Sequence, residues 1–451
     1  MTRPLTFPPS GPLAPELYDT ARAVGSWWEA SLPPEPPREA LTGDCETDVA
    51  IIGGGFAGLN AAKTLAEAGV GATVLDAGAV GWGASGRNGG ICGPGGDKLT
   101  TATLLRRYGA EGVAAYEAAQ TEAIEWVRAF ALAEGLGAWM QGDGELLLAH
   151  SGRRARELAT LAQADREHYA PLPPSGQDDI ARHGGVMVKP AFGIHPLAYV
   201  RSLARATERA GATVFERSCV TRWSREGRRH RLETATGSLS AERLLIATNG
   251  FTPGELDPRL SGLAIPVISN IGVTRPLTAE ERARHPWLGE RPASDTRNLL
   301  SYFRVLPDGR FLLGARGDTR GSDAGAKRMR AAVAERIRRE LPGFAEAEIT
   351  HFWRGPIAAT MRLTPAIGWL DRKAQVAIAL GWHGSGVALA SLGGRLAAEL
   401  LMTGRDDHIP LPMRGRPPRL PLPGLTPLWV GTMMTFYRAL DALSSLPSRN
   451  A

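Results

Sequence analysis

Cysteine is scarce in this 451-residue chain. Cys45, Cys92 and Cys219 show neither metal-ligand spacing nor a pairing pattern, which argues against a disulfide scaffold and a cysteine metal centre. A reducing compartment, the cytoplasm, suits them best. Lysine is scarce too, with only Lys63, Lys98, Lys189, Lys327 and Lys373. The formal net charge of +6 and the sequence pI near 9.5 therefore come almost wholly from arginine. No dense Lys/Arg run carries interleaved aromatics, so the clusters Arg225–Arg231 and Arg328–Arg339 read as solvated faces and no nucleic-acid partner is expected. Long apolar runs are missing as well. The longest uncharged stretch, Ala374 to Gly394, is broken by glycines and His383, which makes it a poor membrane span. Met1 to Gly25 is Pro-rich and interrupted by charges, unlike a signal peptide. Pro421 to Tyr437 is uncharged and reads as a C-terminal helix packed on the body. There is no internal repeat.

What is present is an ordinary globular composition, 43% hydrophobic and 22% charged, with enough length for two domains. Residues 1–43 form a Pro-rich leader whose Trp27 and Trp28 are expected to pin it to the body. Val49-Ala50-Ile51-Ile52 then reads as a buried parallel strand, followed at once by glycines. A helix from Leu59 to Ala68 places Leu59, Ala62 and Leu65 on one face, and Ala72 to Asp76 is the next strand. This βαβ unit has later companions: a helix at Pro196–Ala210, strands at Thr213–Glu216 and Arg243–Thr248, and a strand at Gln375–Leu380 before the helix Val387–Leu401. The fold class is α/β, with a cofactor domain cut into 44–100, 195–261 and 365–410. A substrate domain of α+β character, from 101–194 and 262–364, is interleaved with it, and 411–451 forms a tail and helix.

Gly53-Gly54-Gly55-Phe56-Ala57-Gly58 carries the strongest chemistry. In a G-x-G-x-x-G turn Gly53 makes the tight bend, Gly55 admits a pyrophosphate to the backbone, and Gly58 lets helix and strand close up. The helix N-terminus adds free N–H groups and a positive dipole end. Asp76 ends the second strand, where a carboxylate accepts ribose hydroxyls. The motif alone does not separate NAD from FAD. A second loop, Gly81-Trp82-Gly83-Ala84-Ser85-Gly86-Arg87-Asn88-Gly89-Gly90, follows directly and favours a flavin, which needs such a segment beneath its ring.

With these loops the sequence resembles the D-amino-acid-oxidase-like flavoprotein superfamily, and within it the branch of bacterial amine oxidases typified by gamma-glutamylputrescine oxidase. Ser26-Trp27-Trp28, His195-Pro196-Leu197, Ala247-Thr248-Asn249-Gly250, Tyr302-Phe303-Arg304, Pro307-Asp308-Gly309-Arg310 and Trp353-Arg354-Gly355 also carry the likeness. It implies FAD in a Rossmann-type domain of the glutathione-reductase/p-hydroxybenzoate-hydroxylase kind, beside a substrate domain on a mixed sheet. It also implies oxidation of a C–N bond in a small amine or amino-acid-like substrate. The hydride would pass to flavin N5, with oxygen as acceptor and hydrogen peroxide as product. A same-fold dehydrogenase serving a quinone or carrier protein, and a non-catalytic flavin-binding protein, stay open beside it.

The cofactor-binding set is Gly53, Gly55, Phe56, Ala57 and Gly58, then Asp76 and Ala77, then Gly83, Ala84, Ser85, Arg87, Asn88, Gly89 and Gly90. Val220, Thr248, Asn249 and Gly250 join it from the middle of the chain, and Gly384, Ser385, Gly386 and Val387 from the last glycine turn. A helix starting at Gly386 would set its dipole against the negative charge of reduced flavin. His383 stands two positions from the histidine of many relatives, and either lines the substrate side or fills space beside the ring. No histidine lies between Trp82 and Gly90 and no cysteine follows Cys219, so the FAD is expected to be non-covalent.

The substrate end is sparser. Gly355-Pro356-Ile357-Ala358 lacks the arginine with which amino-acid oxidases of this superfamily hold a carboxylate. Arg362 stands instead in Thr360–Pro365, where amine-oxidising relatives often have an acid, and is expected to anchor a substrate carboxylate through bidentate bonds. Tyr302, Trp353, Arg304 and His195 are the further candidates for the cavity wall.

Overall fold

The computed structural model describes residues 12–176 and 179–444. Two eight-stranded sheets face each other across a central cleft, each built from separated stretches of chain. The first sheet runs in the order Ala366–Asp371, Val376–Leu380, Gly237–Ile246, Gly43–Ile52, Ala72–Leu75, Thr213–Phe215. Its pairings from Val376–Leu380 to Thr213–Phe215 are parallel. The hairpin Arg222–Glu226 and Arg229–Glu233 joins Gly237–Ile246 antiparallel.

Strand alternation explains the layers. Val49, Ile51 and Val74 point into a core shared with the helices Phe56–Glu67, Pro196–Arg209, Gly386–Thr403 and Thr101–Ala133. Ala50, Ile52, Leu244, Ile246, Ile378 and Leu380 point the other way, onto Leu232 and Leu239. Each fully buried aliphatic side chain here contributes roughly 1.5–3 kcal/mol of transfer free energy. The helix Gly386–Thr403 is long and apolar enough to cross a membrane by composition, but it is largely buried and packs against Phe56–Glu67 and Thr101–Ala133. The latter bends at Gly109.

The second sheet is mixed, in the order Ile349–Ala359, Ile265–Pro276, Arg310–Arg316, Ser301–Val305, Ala293–Asp295, Glu145–Leu148, Gly185–Val188, Tyr169–Leu172. One pairing, Ala293–Asp295 with Glu145–Leu148, is parallel. Phe303, Phe311, Leu313 and Ala315 turn to a core with Val333 and Ile337 of the helix Asp323–Glu340. Their neighbours Tyr302, Gly314 and Arg316 therefore turn towards the cleft.

The leader is pinned mainly by Trp28. Ser26 and Glu29 form a capping box for the short helix Trp27–Ala30. The buried Trp28 then donates its Nε1–H to the Asn88 carbonyl, 2.9 Å away, while Trp27 stays half-buried beneath the Arg310 guanidinium. The C-terminal helix, Thr426–Ser444, packs on the body as expected, through a stripe that includes Val430 and Met434 beside Ile265 and Leu420. Leu428, Trp429, Phe436 and Leu443 on its other faces are exposed.

Candidate active site

A cavity of about 330 Å3 fills the cleft, running from the glycine turns of the first sheet to the inner face of the second. The first wall is backbone. Gly53, at φ +107°, bends the chain against the Ala247 carbonyl, a conformation and a clearance that admit only glycine. The helix Phe56–Glu67 starts there with its first N–H on the Ser85 hydroxyl, 3.0 Å away, leaving Gly55 and Ala57 on the cavity. Asp76 accepts the Gly54 N–H at 2.7 Å and the Gly78 N–H at 2.9 Å. Burial raises its pKa to about 6, a shift that Glu216 reinforces and the two amides oppose.

The loop Gly83–Gly90 is tied down from several sides. Asn88 bonds the carbonyls of Ala84 and Ser85 and accepts the Gly90 N–H. Arg87 donates to the Trp82 and Arg354 carbonyls and lies 4.1 Å from the centre of the Trp82 ring. Burial lowers its pKa to about 10, and no acid stands within ion-pair distance of it among the described residues. Asn249 accepts the Gly381 N–H at 2.9 Å and so ties Thr248–Gly250 to the last glycine turn. The helix Gly386–Thr403 begins in that turn without a side-chain cap and points its N-terminus at the cavity.

Gly53, Gly55, Phe56, Ala57, Asp76, Ala77, Gly83, Ala84, Ser85, Arg87, Asn88, Gly89, Val220, Thr248, Asn249, Gly384, Ser385, Gly386 and Val387 all line this one cavity. Gly58, Gly90 and Gly250 do not; they stand behind the wall, where a side chain would meet the Gly53, Ile194 and Pro356 carbonyls respectively. Two helix N-termini, an arginine without a counter-ion and a carboxylate at the end of the second strand suit the charges and hydroxyls of FAD.

The second wall is made of side chains. The Tyr302 ring is slotted between Gly89 and Gly314, where a methyl group on either glycine would collide with it, and its hydroxyl is 2.8 Å from Ser269 Oγ. His383 lines the cavity at φ +51° and accepts the Thr360 N–H at 3.2 Å. Burial, Lys98 and Arg362 push its pKa down to about 3, so it is a neutral ring at ordinary pH. Lys98, Glu145, Ser294 and Arg316 complete the wall. Arg316 has no hydrogen-bond or ion-pair partner among the described residues, and its guanidinium lies 5.8 Å from the centre of the Tyr302 ring. Lys98 likewise has no acid within ion-pair distance among the described residues. Burial lowers the pKa of both, and Lys98 is lowered further by Arg316.

Four of the expected wall residues, Arg362, Trp353, His195 and Arg304, lie elsewhere. Arg362 donates to the carbonyls of Pro365, Met413 and Arg414 and to the Thr364 hydroxyl, so the chain at 412–415 consumes its guanidinium and it is absent from the cavity lining. Trp353 is buried behind the wall and donates to the Arg87 carbonyl at 2.7 Å. His195 caps the helix Pro196–Arg209 through Nδ1 and packs between Trp28 and Trp139; with Arg304 it borders a separate cavity. Lys98, Glu145 and Arg316 were missed. A signal existed for Arg316, since Phe311, Leu313 and Ala315 alternate to the core and leave it on the opposite face.

A family profile described as FAD dependent oxidoreductase matches residues 48–400. A probable oxidoreductase OrdL of Rhizobium meliloti (strain 1021) is 31% identical over 426 residues, covering 88% of this chain and 92% of its own. Gamma-glutamylputrescine oxidoreductase of Escherichia coli (strain K12) is 28% identical over 431 residues, covering 89% and 93%. The crystal structure of glycine oxidase from Geobacillus kaustophilus superposes with a TM-score of 0.63 at 22% identity, over 79% of this chain and 95% of that one. At that identity the likeness speaks for the fold alone.

Proposed function

The chain belongs to the FAD dependent oxidoreductase family, and from that premise we propose that it oxidises the CH–NH bond of a small amine that carries a carboxylate, with molecular oxygen as acceptor. The observation that carries this reading is Arg316, which has no acid within ion-pair distance among the described residues in the cavity that continues from the FAD cradle, with the more exposed Lys98 on the same cavity. A cation drawn largely out of water is ordinarily paired, so Arg316, which is not, suits an anionic ligand. Arg316 takes the role that Arg362 cannot, because its planar fork is free. The name of the gamma-glutamylputrescine relative supports an amine joined to an acidic group.

When bound, FAD supplies acceptance of a hydride from the carbon beside the amine nitrogen and return of the electrons to oxygen as hydrogen peroxide. The chain's own part is to bind and orient. Arg316 holds the carboxylate, the Tyr302 ring sets the floor of the pocket, and neutral His383 adds no further positive charge to those of Arg316 and Lys98. The FAD is held without a covalent bond: burial and Asp76 raise the Cys219 thiol to about 11, and burial raises Cys92 further, so neither is a ready nucleophile. These unpaired thiols also suit the cytoplasm.

The test is anaerobic bleaching of the purified flavoprotein by carboxylated amines, simple amines and amino acids, followed by admission of air. Bleaching by carboxylated amines and peroxide on aeration are expected. Bleaching without peroxide would turn the assignment to a dehydrogenase, and no bleaching by any amine would overturn it.

A further inference from the structure

The acids buried elsewhere in this chain show what Glu145 lacks. Asp295 pairs with Arg297 and Arg336, Glu340 with Arg336, Glu216 with Arg38, and Asp318 with Arg354. Glu145 lines the same cavity as Arg316 and has no Lys, Arg or His within ion-pair distance among the described residues. Its Oε1 accepts the Ser294 hydroxyl at 2.6 Å, and Oε2 faces Gly93, where a Cβ would stand 2.6 Å away, so the missing side chain leaves that oxygen open. Of the other acids on the cavity, Asp76 spends its oxygens on the Gly54 and Gly78 amides, and Asp97 has Lys98 beside it in the chain and a bond from Tyr116.

We propose that Glu145 receives the ammonium of the substrate, so that one cavity reads both charges of an amine–carboxylate: the anion at Arg316 and the cation at Glu145. The proposal rests on the oxidation assigned above and narrows its substrate. Three strand spacings separate the strand of Arg316 from that of Glu145, about 14 Å at ~4.8 Å each, and the pairing register sets Arg316 four residues along from the row of Glu145, about 13 Å more at ~3.3 Å each, so the two backbones stand roughly 20 Å apart. That width suits a nitrogen several bonds from the carboxylate better than an α-amino acid. A half-buried carboxylate with a single hydroxyl donor and no cation costs the free protein stability, and burial raises its pKa with only Ser294 opposing. A cost of this kind at a cavity wall is characteristic of a residue kept for a ligand.

The experiment uses the FAD-loaded protein and two matched series, ω-amino carboxylates and plain carboxylates of three to six carbons. Affinity is read from the change in flavin absorbance, or from saturation of the anaerobic reduction rate where the ligand is oxidised. At one chain length the amino compound is expected to bind at least about 10-fold tighter than its carboxylate, in line with a buried charge-assisted bond. Glu145→Gln brings that ratio to about one, leaves plain carboxylates unchanged, and holds or raises the thermal midpoint, whereas a merely structural acid would lower it. Ser294→Ala reduces the ratio without abolishing it. A ratio near one at every length in the unaltered protein overturns the proposal, as does an unchanged ratio in Glu145→Gln. Failure of every amine to bleach the flavin would sink the oxidation instead, and the binding ratio is read independently of it.

Discussion

The two walls of the cavity recognise in opposite ways. The wall of the first sheet is backbone: turns at Gly53, Gly83–Gly90 and Gly381–Gly386 and the starts of two helices. The wall of the second sheet is side chains, with Glu145, Ser294, Tyr302 and Arg316 each supplied by a different strand. The backbone wall is closed to a side chain at its tightest bend, Gly53, while a side-chain wall can change its ligand without disturbing the fold beneath. One cofactor served by many substrates needs this division.

The sharpest way to break the contrast is Gly53→Val. A β-branched residue at φ +107° against the Ala247 carbonyl should yield protein without flavin absorbance and with a lowered thermal midpoint. Arg316→Ala strikes the other wall and should leave FAD binding intact. It is expected to raise KM for carboxylated amines by roughly 10–100-fold, the worth of about 1.5–3 kcal/mol for a charged hydrogen bond, while KM for simple amines stays put. Arg362→Ala tests the corrected assignment. It should cost about 1–3 kcal/mol of stability through the orphaned carbonyls of 413–414 and leave KM unchanged, as separate thermal and kinetic measurements would reveal.

The smallest effect is in pH. His383 is held near 3 in the fold, mainly by burial, against ~6.5 when unfolded, so protonation favours the unfolded chain. Its contribution is intact above about pH 6.5 and is lost as pH falls towards 3, at up to ~1.4 kcal/mol per unit. His383→Asn, a residue that tolerates this backbone conformation, should shrink the drop in thermal midpoint between pH 7 and pH 5.

The same contrast decides what could be read from sequence. Turn geometry is local, so the cradle appeared as three contiguous glycine runs, and Asp76 followed from its place at the end of a strand. The substrate wall appears only when strands are set side by side. Tyr302 stood out through family likeness, whereas nothing in the sequence around Glu145 singled it out. Arg362 misled because its position in Thr360–Pro365 suggested the cavity, while the carbonyls that claim it lie some 50 residues later in the chain.

The late strand Val376–Leu380 and the helix after it complete a sheet begun at Gly43. During synthesis the first glycine turn therefore leaves the ribosome more than 300 residues ahead of the segment that closes the cradle. Contacts of such sequence separation form slowly and last. A chain cut short between Asp76 and Val387 would carry the dinucleotide motif and is expected to lose its flavin, so the yellow colour would report that synthesis had passed the last glycine turn.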